Sequence, residues 1–161
     1  MNDVDLIAAL ARLGIDKENY RIITLLPLIQ VAWADGRVQR AEKDIILRKA
    51  VQYQIPDSGR KILDQLLQSK PPPEYFEQAR AALLALVNRQ GSGMEVDTQV
   101  TIIEMCENVA RSAGGLFGVF DTVDERERVV IREVAEAMLV GVNINWNAVF
   151  YSGAPLDQKS G

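Results

Sequence analysis

The stretch Leu28 to Ala50, LIQVAWADGRVQRAEKDIILRKA, limits the possible folds of this chain more than any other. An apolar helical run meets an Asp-Gly pair, and a second helix opens a few residues later, so the two helices must fold back on each other. Gly36 can take the left-handed conformation that a helix C-terminus often needs. Upstream, Ile22, Ile23, Leu25, Leu26, Leu28, Ile29, Val31 and Trp33 surround the helix axis, and a helix apolar on every side belongs in the middle of a core. Pro27 is expected to bend one helix running from Lys17 to Ala34.

The remaining segments read as further helices with short connections. Leu6, Ile7 and Leu10 mark a first helix that Gly14 stops. After the hairpin, Ile46, Ala50 and Tyr53 form one stripe, and Asp57 is expected to cap a helix with Ile62, Leu63, Leu66 and Leu67 on its apolar face. Pro71-Pro72-Pro73 is too short to separate two cores, and its last proline suits the first turn of a helix carrying Phe76, Ala79, Leu83 and Leu86. Val100, Ile103, Cys106, Ala110 and Ala113 then share a face, and a last long helix, Val123 to Leu139, turns Val130, Val134 and Met138 inward. The expectation is an all-α fold of about seven helices, one domain over 1–155 with a flexible tail over 156–161. With 161 residues and 48% hydrophobic side chains, the chain can bury a sizeable core.

A looser copy of the first hairpin lies between Cys106 and Met138. Gly36, Glu42 and Ile46 correspond to Gly118, Glu125 and Val129 if the second loop is one residue longer, and two such hairpins packed face to face would make a pseudo-symmetric four-helix core.

Several chemistries are excluded by residue type. The chain has no histidine, which removes Ser-His and Cys-His nucleophile pairs and the Glu-x-x-His motif of di-iron bundles. The single cysteine, Cys106, cannot form an internal disulfide and sits on an apolar stripe, where a buried inert thiol is expected. With 18 basic against 22 acidic residues, no positive field exists to hold nucleic acid. The longest apolar run is too short to span a bilayer, and the acidic N-terminus does not read as a secretory signal, so a cytoplasmic location is expected. No cofactor loop is present, since GGLFG lacks both a preceding strand and a following Lys-Ser/Thr. A non-enzymatic role follows as the expectation.

The string VAWADGRVQRAEKDIILRKA resembles the A-x-A-D-G-x-V-x-x-x-E signature of TerB-like proteins, the tellurite-resistance TerB group and its relatives, and the second hairpin fits their duplicated core. The resemblance is strongest over residues 28–51. It implies an all-helical bacterial cytoplasmic protein connected with stress or tellurite tolerance, binding a divalent cation through acidic residues. Residue by residue it carries over Asp35 and Glu42, and less closely Asp121, Asp124 and Glu125, because Phe117-Gly118 stands where the second Asp-Gly pair would be.

Read physically, Asp35 to Glu42 also has the spacing of the second half of an EF-hand loop, but Val31 and Trp33 occupy positions that should offer oxygen, which excludes a complete one. Asp35, Glu42, Asp121, Asp124 and Glu125 would then hold Ca²⁺ or Mg²⁺ weakly, with waters. Against this stands a structural role. Glu42 and Glu125 each follow a potential cap, Gln39 or Thr122, by three residues, the capping-box spacing, and glutamate in a first helical turn is favoured without any ligand. Glu107 is expected to pair with Arg111 on a solvated face. Without a metal, the chain would be an adaptor whose acidic surface and tail dock another protein. Trp146, Phe150 and Tyr151 in that tail offer a homodimer contact or, first, packing on their own chain.

Overall fold

The computed structural model describes residues 1–89, 96–113 and 123–138, with the side chains of 96–100 and 113 excepted. The described residues form seven α-helices and no strand. They are α1 (Asp3–Arg12), α2 (Leu26–Ala32), α3 (Arg40–Gln52), α4 (Asp57–Gln68), α5 (Pro73–Val87), α6 (Val96–Ala113) and α7 (Glu125–Met138), and a 3-10 segment (Tyr20–Leu25) leads directly into α2. Gly118, Asp121 and Thr122 and the aromatic tail residues Trp146, Phe150 and Tyr151 lie outside the described residues.

α2 is the centre of the molecule. It packs against α3, α5, α6, α7 and the 3-10 segment, which is why its apolar residues encircle the axis. Leu26, Leu28, Ile29 and Val31 have no exposed surface. The single kinked helix expected over Lys17 to Ala34 is not formed. Pro27 stands in the first turn of α2, where no intrahelical N–H is missed, and the residues before it tighten into the 3-10 segment. Two turn residues then take positive φ as the reading of the hairpin requires: Gly14 (φ +76°) after α1 and Gly36 (φ +95°) between α2 and α3. At Gly36 an added Cβ would meet nothing within 4 Å, so glycine is there for its backbone freedom and not for space.

The other helices enclose α2 with the stripes their sequences carry. α1 turns Leu6 and Leu10 onto α5 and leaves Ile7 outside. α3 buries Ile46 and Ala50, α4 buries Leu63 and Leu67, and α5, with Pro73 in its first turn, buries Phe76, Ala79 and Leu83. Asp57 is not the cap of α4. Pro56 occupies that position, and Asp57 is the first helical residue, where its charge still favours the helix dipole. Trp33, half-buried at the end of α2, anchors α4 by donating its indole N–H to the Leu66 carbonyl at 2.8 Å. α6 lies across α2, α3 and α7 and buries Ile102, Ile103, Cys106, Val109 and Ala110.

α7 begins at Glu125, later than Val123, and its buried apolar residues are Ile131, Val134, Ala135 and Met138, with Val130 half-buried. Val129, expected to be the counterpart of Ile46, is 45% exposed. The residue buried as Ile46 is buried is Ile131. Matching these two aligns Val38-Gln39, Glu42, Ile46 and Ala50 with Val123-Asp124, Glu127, Ile131 and Ala135 at one constant offset, two residues away from the register that pairs Glu42 with Glu125.

Candidate functional site

Two carboxyl groups, those of Glu42 and Glu127, are buried at the starts of α3 and α7. Glu42 is the third residue of α3, and the N–H of the preceding cap, Gln39, donates to its Oε2 at 2.7 Å. Glu127 is the third residue of α7, and the N–H of Asp124 donates to its Oε2 at 3.0 Å. In each case a glutamate reaches back to satisfy a backbone donor that the helix leaves without a partner. Such glutamates ordinarily sit in water. Here Glu42 is 1% exposed and Glu127 2%, and the Glu127 carboxyl lies near enough to act on Glu42 both through its charge and as a hydrogen-bonding neighbour.

Burial decides the electrostatics, and the closeness of the two groups adds to it. Two ionised carboxylates buried this close repel one another, so the pair is favoured with a proton or another positive charge beside its oxygens. Burial raises Glu42 from 4.5 to about 8, and the negative charges of Glu127 and Asp35 push in the same direction. Burial likewise raises Glu127 from 4.5 to about 7, reinforced by Asp124 and Asp35 and opposed by Arg126. The backbone N–H on each carboxylate pulls its value down without overcoming desolvation. Because the two groups interact, their protons come off as those of a pair.

The neighbours come from the two turns. Asp35 is half-buried, and its Oδ1 accepts the Arg37 N–H at 3.1 Å, fixing it beside the start of α3. Asp124 is exposed. Its Oδ1 accepts from the Arg126 N–H at 2.8 Å and from Arg126 Nε at 3.1 Å, and that guanidinium holds its carboxyl below the usual range. Arg126 is itself raised, chiefly by Asp124 and further by Asp35 and Glu127. The site is therefore a buried carboxyl pair with an aspartate from each turn close by and one arginine at its edge.

Of the expected residues, Asp35 and Glu42 belong to this group and Asp124 borders it as the cap of α7. Asp121 lies outside the described residues. Glu125 is directed elsewhere: its side chain is 74% exposed and reaches Arg128 Nη1 at 3.4 Å. Glu127 is the residue the sequence reading passed over, and the cap expected at Thr122 falls at Asp124. Among the described residues no three carboxylate or thiol side chains converge closely enough to form a metal-ligand group. Elsewhere, Cys106 is fully buried and burial pushes its thiol far up, out of the reactive range. Glu107 does pair with Arg111, but both are largely covered, so this is not a solvated face. Among the described residues, no helix is long and apolar enough to cross a membrane.

Comparisons with family models, with curated proteins and with solved structures give no match for this chain.

Proposed function

We propose that this is a non-enzymatic TerB-like helical protein whose two hairpins, α2–α3 and α6–α7, are the halves of a pseudo-symmetric core joined through a cation held at Glu42 and Glu127. The observation that carries this reading is the closeness of two buried carboxyl groups from the first turns of α3 and α7. A pair of this kind is favoured with positive charge beside it, and a proton is the default occupant near neutral pH. The same oxygens suit a hard divalent cation, Ca²⁺ or Mg²⁺, which prefers carboxylate ligands and completes its shell with water. Asp35, too far to join them as a third ligand, adds negative charge nearby from the first turn. The resemblance of VAWADGRVQRAEKDIILRKA to the TerB signature supports a cation over a purely structural carboxyl pair, and a place in stress or tellurite tolerance comes with it.

Titration calorimetry with Ca²⁺, Mg²⁺ and Mn²⁺ at pH 7.5 tests the reading. The expected result is weak binding at one site, lost in Glu127→Gln and reduced about threefold in Asp35→Asn, in line with the loss of one nearby negative charge that is not itself a ligand. Absence of heat with all three ions, or heat unchanged in Glu127→Gln, would leave the metal-free adaptor as the better description.

A further inference from the structure

We infer that the outer face of α1 is a self-association surface, occupied by the same face of a second copy of this chain lying antiparallel to it. While Leu6 and Leu10 turn inward onto α5, Val4 and Ile7 are 75% and 67% exposed, and Met1 just before the helix is 61% exposed. Val4, Ile7, Ala8 and Ala11 follow the three-and-four spacing of one helical stripe, so this short helix carries a second apolar side besides the one that Leu6 and Leu10 bury. Ala8 and Ala11 are small enough for another helix to approach closely.

The charges at the rim indicate what that helix is. Asp5 stands in the first turn of α1 and Arg12 in the last. Seven residues apart, they lie within about 20° of each other around the axis, on the same rim of the stripe and about 10 Å apart along it. A two-fold antiparallel pairing centred between Ala8 and Ala9 therefore sets each Asp5 beside the partner's Arg12, twice, and also aligns the two helix dipoles favourably. Among the described residues neither Asp5 nor Arg12 makes an ion pair within its own chain, whereas Asp3, on the other rim, is held by Arg89 at 2.5 Å. The stripe is smaller than the roughly 1,000 Å² of total buried area that marks a stable interface, so association belongs in the high-micromolar range and above.

Sedimentation equilibrium of the full chain up to about 1 mM tests this. A monomer–dimer equilibrium is expected, weakened about tenfold in Ile7→Glu through loss of the apolar anchor. Asp5→Arg and Arg12→Asp should each weaken it by about the same factor, since two attractive contacts become repulsive. Mixing those two variants recreates both attractive contacts and should return dimerisation to within about threefold of the wild type. A chain that stays monomeric throughout, a dimer indifferent to these substitutions, or charge variants that fail to rescue each other on mixing would overturn the inference.

Discussion

Glu42 shows how a common local device acquires a second role from its surroundings. As the third residue of α3 it accepts the Gln39 N–H, which any surface glutamate could do. Buried against Glu127, it also holds a proton that an unfolded chain would release. The sign of the resulting pH dependence follows from that difference. Below about pH 4.5 both states are protonated at this group; between 4.5 and about 8 the folded chain retains protons that the unfolded chain has lost. The pair's contribution is therefore fully present at the acid end of this window and is lost as pH rises through it, at up to about 1.4 kcal/mol per group for each pH unit. Urea unfolding in metal-free buffer should give a higher midpoint at pH 5.5 than at pH 8, with the slope reduced by about half in Glu42→Gln and the remainder coming from Glu127. Glu42→Gln keeps an oxygen for the Gln39 N–H, but Glu42→Ala does not. Its stability at pH 5.5 should fall by about 1–3 kcal/mol, the usual result of leaving a buried donor unmatched. Equal midpoints for the Gln and Ala variants would show that the cap contributes little.

At the level of elements, the sequence was most readable where a residue's own backbone preference settles the outcome. Gly14 and Gly36 end helices in the left-handed region, and Pro73 opens α5. Pro27 also obeys its own chemistry by standing in the first turn of α2, but the 3-10 segment before it carries the same apolar residues as a continuous helix and so could not be told from one. α3 ends differently from α2. Gln54, not a glycine, takes φ +53° there, while the Ile55 N–H closes the turn on the Ala50 carbonyl at 2.9 Å. Gln54→Gly should consequently raise stability, by about 0.5–1 kcal/mol, measured as an increase in the urea midpoint at unchanged slope. A loss of stability would mean that the Gln54 side chain makes a contribution larger than its backbone strain.

Across the whole molecule, the start of α7 was the hardest part to place, and the candidate site depended on it. In Asp124-Glu125-Arg126-Glu127-Arg128-Val129-Val130-Ile131, acids alternate with arginines and three apolar residues follow in a row, so two registers fit the first hairpin almost equally well. Which glutamate enters the core is decided by which of Val129 and Ile131 packs against the rest of the bundle, and that is a tertiary choice with little local signature. Asp35 and Glu42 were legible because one belongs to an Asp-Gly turn and the other follows it; their neighbour Glu127 was not. The joining of the two hairpins through this carboxyl pair is measured most directly by following the side-chain carboxyl ¹³C shifts of Glu42 and Glu127 by NMR against pH in metal-free buffer. Both should titrate well above 4.5, near 7 and 8, and Glu127→Gln should move the Glu42 midpoint. Two independent midpoints near 4.5, with Glu42 unmoved by Glu127→Gln, would contradict a shared charge at the centre of this fold.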